Sequence, residues 1–341
     1  MKKRTIAELV KDQVVTDALA KLNSLHVKYP AFSENLEAIE RCRMLTALSG
    51  RPHCIAILGE SGVGKTHLAE QLKMRHPDRE EVDRIVRPIL LVEVPKHATS
   101  KGLLGEMLTA LGCKESVTAN RVSLLRSLLR LLDELQVDTI VIDEGQHMAY
   151  KATSDGQVAD WLKTLINRSG RTIVLMGTPS TERMLASSEC QQTMTRFQRV
   201  RHIYPFYWKE DKNGTSFRLF LQQVEGVLPF RQRSNLADPE VALRLFCATR
   251  GYLRMVFRIL NAACLEALAS GAEKLDNALL DQAMRIEVNE RVPLAASPFT
   301  AQIDKVMEAV LGEWAPIYEP PQSKRPGKQQ KPKKPSESLV K

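Results

Sequence analysis

Gly59-Glu60-Ser61-Gly62-Val63-Gly64-Lys65-Thr66 follows the apolar run Cys54-Ile55-Ala56-Ile57-Leu58 and precedes the helix-competent segment from His67 to Met74. Strand, glycine loop and helix in that order are the setting in which G-x-x-x-x-G-K-[ST] makes a phosphate-binding loop. The glycines let the backbone bend so that successive N–H groups converge on phosphate oxygens. The helix that follows adds the positive end of its dipole. In this pattern Lys65 reaches the β- and γ-phosphates and the Thr66 hydroxyl holds Mg²⁺. The loop residues 59–66, with His67 at the head of the helix, are therefore the candidate phosphate contacts.

A phosphate loop works with carboxylates delivered by another strand of the same sheet. Thr139-Ile140-Val141-Ile142-Asp143-Glu144 supplies an apolar strand ending in two of them. Asp143 is expected to complete the Mg²⁺ shell through water, and Glu144 to orient and deprotonate the attacking water. A glutamate directly after the aspartate also suggests a strand inserted between this one and the loop strand. Thr172 to Met176 is the candidate, and Thr178 just beyond it is placed to sense the γ-phosphate. A plain turn threonine in Gly177-Thr178-Pro179 is the alternative reading.

Outward from these motifs, the chain alternates apolar runs and helical faces. Five runs (54–58, 89–94, 138–142, 172–176 and 200–206) are separated by helices at 67–74, 103–111, 122–135, 158–166 and 181–194. That alternation predicts an α/β fold with a largely parallel, doubly wound five-stranded sheet. After about residue 209 the strands stop. Helices are expected at 217–224, 239–249, 253–270, 277–285 and 300–313. The expected domains are a helical arm over 1–50, a nucleotide-binding core over 51–209, an all-α lid over 210–313 and a basic tail over 314–341. The tail carries seven Lys or Arg against two Glu between 317 and 341 and is interrupted by prolines. It cannot bury a core and is expected to be disordered.

The 341 residues carry a formal net charge of +9, of which the tail supplies more than half. A mildly basic folded part suits contact with nucleic acid without requiring it. No run of 18 apolar residues exists, and Thr5 to Val15 is too polar for a signal peptide, so a cytoplasmic protein with no membrane partner is expected. The 6 cysteines are scattered, without C-x-x-C pairs. They read as buried thiols, not as disulfides or zinc ligands.

Five runs, GESGVGKTHL (59–68), VIDEGQHM (141–148), VLMGTPS (174–180), MTRFQRVR (194–201) and GYLRMVFRIL (251–260), together resemble the AAA+ ATPases. More narrowly, DEGQHM, TRF and the ASPF segment at 296–299 resemble the TniB/TnsC family of transposition regulators. The resemblance implies an ATPase using ATP and Mg²⁺, with an AAA+ P-loop core followed by a helical lid. It implies that Arg196 is the finger reaching a neighbouring subunit's nucleotide, with Arg199 and Arg201 as alternatives. Arg254 is implied to be a second sensor contacting the γ-phosphate from within the subunit. Members of this family are similar in assembling as ATP-dependent rings or filaments on duplex DNA, which links a target-selection protein to a transposase. Residues after the second strand face DNA in such assemblies, and here the matching positions are Lys96, Thr99 and Lys101. The alternatives are a helicase loader or initiator-like switch, a secretion-type ATPase, and a scaffold that binds ATP without turnover.

Overall fold

The five runs form one parallel sheet: Ile55–Leu58, Thr139–Asp143 and Thr172–Gly177 are buried on both faces, and the partly exposed Arg199–His202 forms an edge. The protein is seen in a computed structural model that describes residues 8, 11–25, 29–96, 99–113, 120–151, 157–185, 197, 199–208, 214–288, 294 and 296–312. Along the chain the strands are β1 (Ile55–Leu58), the short β2 (Arg79–Glu80) and β3 (Ile85–Val86), β4 (Ile89–Glu93), β5 (Thr139–Asp143), β6 (Thr172–Gly177) and β7 (Arg199–His202). The main sheet has the order β4-β5-β6-β1-β7. All its pairs are parallel, with Ile55 opposite both Val174 and Arg199, and Glu93 opposite Asp143. β6 thus lies between β5 and the loop strand β1, as expected from the paired carboxylates.

Side chains alternate across a strand with period two, and the two buried clusters divide accordingly. Ile55, Ile57, Val141, Val174 and Met176 face one side. There they meet α2 (Pro30–Ser49) and α3 (Lys65–Arg75). Ala56, Leu58, Ile140, Ile142, Ile173 and Leu175 face the other. That side is covered by α4 (Ser100–Ala110), α5 (Arg121–Glu134) and α6 (Gln157–Ser169). A short 3₁₀ helix (Gly145–Lys151) follows β5, and α7 (Pro179–Leu185) follows β6.

α2 starts where a sequence reading would break a helix. Pro30 occupies its first turn, where the missing N–H costs nothing, and Gly50 closes it in the left-handed conformation. Phe32, Leu36, Ile39 and Cys42, at helical spacing, are buried against the sheet. Arg43 anchors the outer side: its guanidinium donates to Asp138 (2.8 Å) and Thr139 (2.9 Å) at the amino end of β5, and to Glu40 (2.7 Å) one turn back on α2 itself.

The C-terminal helices are α8 (Thr215–Glu225), α9 (Pro239–Thr249), α10 (Leu253–Ser270), α11 (Asn277–Glu287) and α12 (Ile303–Leu311). Their core is continuous with the α2–α3 side of the sheet. Phe206 joins the two, its ring 4.6 Å from Tyr29, 5.2 Å from Phe217 and 5.3 Å from Phe220. The first helix, α1 (Gln13–Asn23), lies along α10, with Val15 against Ala269 and the Asn261 amide donating to Asn23 at 2.8 Å.

Three features differ from the sequence reading. The last strand ends at His202, because the chain peels away after the Ile203 N–H donates to Leu58 O at 2.7 Å and turns so that Phe206 N–H meets Gly251 O. The hairpin of β2 and β3 was not anticipated, its strands being two residues each. The helix expected at 181–194 begins at Pro179 and is seen to Leu185; residues 186–196 and the tail 314–341 lie outside the described residues.

Phe206→Ala should remove the ring that joins sheet and helices, costing about 3 kcal/mol or more in a urea titration. A loss under about 1 kcal/mol would show that other contacts hold the helices in place.

Candidate functional site

In an open parallel sheet the loops at the carboxyl ends of the strands share one edge, and ligands bind there. Leu58 leads directly into the glycine loop, and Gly59 N–H donates to Gly177 O at 3.0 Å, pinning the loop to the end of β6. Gly64 stands at φ +107°, where a side chain is strained, and a Cβ there would lie 2.8 Å from the Leu253 side chain. It precedes α3 without a side-chain cap, so the first N–H groups of the helix open toward the loop.

Lys65 is buried, and its ammonium donates to the carbonyls of Gly59 (2.8 Å) and Glu60 (2.9 Å). Burial holds its pKa below the ordinary lysine value; Arg254 pushes the same way, while Asp143, Glu144 and Glu60 oppose. The Thr66 hydroxyl donates to Asp143 Oδ2 at 2.6 Å. The other oxygen of this buried carboxylate accepts from Glu144 N–H at 2.8 Å. One hydroxyl and one carboxylate, both hard oxygen donors, suit Mg²⁺, which keeps waters and takes few protein ligands. No cluster of three or more acidic, His or Cys side chains that could hold a metal occurs among the described residues.

Glu144 turns out of the strand at φ +57°, an unusual backbone for a non-glycine residue. Its carboxylate accepts from the side-chain amide of Gln146. The Gln146 carbonyl accepts from Thr178 N–H at 3.1 Å, and the Thr178 hydroxyl pairs with that of Ser180 at 2.7 Å. Thr178 therefore meets Glu144 through Gln146. Across the loop, Arg254 N–H donates to Gly62 O at 3.0 Å and Tyr252 OH donates to the Glu60 carboxylate. Lys65, Thr66, His67, Glu144, Arg254 and Phe257 line a single cavity of about 210 Å³.

The sequence-derived candidates fare unequally. Residues 59–67, Asp143, Glu144 and Arg254 come together, except that Val63 points into the core. Arg196 lies outside the described residues. Of its alternatives, Arg201 is held by its own chain, donating to Asn35 (3.0 Å) and Glu34 (3.2 Å) of α2. Arg199 is exposed at the opposite end of β7 from the loop, level with Ile55. Lys96 and Lys101 are exposed beyond the carboxyl end of β4. Thr99 caps α4, its hydroxyl accepting from Gly102 N–H at 3.0 Å. Sequence reasoning missed Gln146, Tyr252 and Asn23, which lines the same cavity from α1. Gln146 sits inside a motif that was read, but its second partner, Thr178, lies beyond the end of β6 and is brought to it only by the fold.

This geometry, with the strand order and the lid helix on the glycine loop, defines an AAA+ P-loop ATPase fold. Solved structures that share it include the following three. The Aeropyrum pernix ORC2 protein in ADPNP–ADP complexes is 18% identical, with TM-score 0.57 over 76% of this chain and 68% of that one. The Aeropyrum pernix ORC1 protein in complex with DNA is 17% identical, with TM-score 0.57 over 77% and 67%. Domain III of the Thermotoga maritima replication initiation protein DnaA is 15% identical, with TM-score 0.51 over 79% and 97%. A search of curated proteins finds no match. The model of the family described as bacterial TniB protein matches residues 21–208, more than half of the chain. The chain belongs to the TniB family.

Gly64→Ala should weaken nucleotide binding by about tenfold or more, because φ +107° carries strain with any side chain. Titration with a fluorescent ATP analogue measures it; an affinity within twofold of the parent would show that the loop tolerates a side chain there.

Proposed function

We propose that this chain is an ATP-hydrolysing AAA+ regulator of DNA transposition. It assembles on duplex DNA while ATP is bound, links a target-selection protein to a transposase, and disassembles on hydrolysis. One observation carries the chemistry: Thr66 bonds to Asp143, Glu144 follows in the chain, and Arg254 faces Lys65 and Glu144 across one cavity.

The roles follow from charge and position. Loop N–H groups and Lys65 take the β- and γ-phosphates. A magnesium ion held by Thr66, and through water by Asp143, would neutralise charge between those phosphates. Glu144 accepts the proton of the attacking water as its oxygen bonds to the γ-phosphorus and ADP leaves. Thr178 and Arg254 respond to the γ-phosphate. Arg196 serves as the finger of a neighbouring subunit; the bonds of Arg201 to Asn35 and Glu34 make it the weaker alternative.

Membership of the TniB family supports the transposition role, and the DNA complex of a structurally similar protein supports contact with duplex DNA. Lys96, Thr99 and Lys101 are the proposed DNA-facing positions, reading phosphates and so tolerant of sequence. The rival reading, an initiator-like switch or helicase loader, draws on the ORC and DnaA likenesses. Against it, those likenesses are at 15–18% identity, whereas the TniB family model matches residues 21–208.

Glu144→Gln should leave ATP binding intact and cut turnover by about 10² or more, leaving the assembly on DNA long-lived. Unchanged turnover would refute the proposed base. Lys65→Ala should abolish nucleotide binding and ATP-dependent co-sedimentation with DNA together.

A mixture of Arg196→Ala and Lys65→Ala proteins should regain part of the ATPase activity, since each supplies what the other lacks. No recovery at any ratio would count against Arg196 as a finger acting between subunits. Replacing Lys96 and Lys101 should flatten the salt dependence of DNA binding by about one log–log unit per lost phosphate contact. An unaltered slope would move the DNA contact elsewhere.

A further inference from the structure

We propose that Gln146 is a positioning residue: it orients the Glu144 carboxylate and ties it to the end of β6, so that Glu144 and Thr178 respond as one unit. The proposal rests on the reading of Glu144 as the base.

Gln146 spans two partners of opposite character. The Glu144 carboxylate can only accept and the Thr178 N–H can only donate, so the Gln146 amide has a single orientation that satisfies both. Swapping its nitrogen and oxygen would break both bonds. The seat is also shaped for it. A Cβ on Gly177 would lie 3.2 Å from Gln146 Oε1 and 2.1 Å from Thr181 Oγ1, so only glycine leaves that end of β6 open to the amide. On the other side, the Glu144 backbone is already held by its bond to Asp143 and its turn at φ +57°. What Gln146 adds is control of the side chain, which otherwise has three freely rotating torsions.

The consequence is a short mechanical connection. Thr178 Oγ1 bonds to Ser180 at the start of α7, while Thr178 N–H bonds to Gln146. A displacement of the end of β6 on meeting a γ-phosphate moves the Gln146 carbonyl, and the amide carries that shift to the base. Hydrolysis then becomes sensitive to the same group that binding senses, without direct contact between Thr178 and Glu144. Glutamate could not replace Gln146. It lacks the donor and would set carboxylate against carboxylate.

The test uses the full chain with Gln146→Ala and Gln146→Glu, and with the nearly isosteric Gln146→Met should alanine disturb folding. Turnover should fall at least tenfold in each, the usual scale for a mispositioned base. Affinity for a fluorescent ATP analogue should stay within about twofold, because Lys65, Thr66 and Arg254 are untouched. Added to Glu144→Gln, Gln146→Ala should change the single-turnover rate by less than about twofold, because its effect runs through Glu144.

Unchanged turnover, equal losses of turnover and affinity, or an additive loss in the double variant would each overturn the proposal. Parental turnover in Glu144→Gln alone would refute the base itself. That outcome is distinct from a failure confined to Gln146.

Discussion

The molecule depends on the docking of α10 against the glycine loop. Gly62 O accepts from Arg254 N–H at 3.0 Å, Tyr252 donates to Glu60, and the Leu253 side chain fills the space that Gly64 leaves bare. These contacts join the two halves of the chain at the point where the anionic ligand would enter. The loop glycines therefore do two things. They let the backbone curl, and they let a helix come close enough to bring Arg254 beside Lys65. Glycine's absent side chain is worth more here than its flexibility. Positive charges are thereby concentrated in a partly buried space, and the depressed Lys65 pKa registers the burial and the proximity of Arg254.

The sheet sets the remaining geometry. With helices on both faces, the polar work is confined to the carboxyl edge. Asp143 is opposite Glu93 in register, Leu58 opposite Gly177, and each strand delivers its end residue to the same line. The amino edge does structural work instead. Burial works against the Arg43 charge, but its ion pairs with Asp138 and Glu40 outweigh that and raise its pKa. The Asp138 pair binds α2 to the start of β5, while Glu40 steadies the guanidinium from within the helix.

Much of this was legible in the residues, and the reasons are specific. Parallel strands buried on both faces must be continuous apolar runs, so 54–58, 138–142 and 172–176 announce themselves. The phosphate loop is legible because glycine, lysine and threonine are each irreplaceable at their spacing. Leu253–Ser270 and Pro239–Thr249 match the reading residue for residue, since Gly271 and the Asp238-Pro239 pair punctuate them. What stayed hidden depends on meetings between distant segments. Gln146 is one polar residue among many until the end of β6 folds beside it. Arg201 looked like a free cation for a neighbour, but α2 supplies Asn35 and Glu34. The β2–β3 hairpin is too short to carry a periodic signal.

The α1 helix gives the N-terminal segment a significance beyond packing. It lies along α10, with Val15 by Ala269 and Asn23 bonded to Asn261, and Asn23 also borders the cavity beside Lys65. A few residues later the chain is committed to α2, which is fastened to the sheet. The segment is thus a tether with one end on each half. Any swing of α10 about the bend at Gly251 must either carry α1 along or strip it from its track. The α1–α2 segment thus spans the junction on its outer side, and α10 cannot shift far without losing the Val15 and Asn23 contacts.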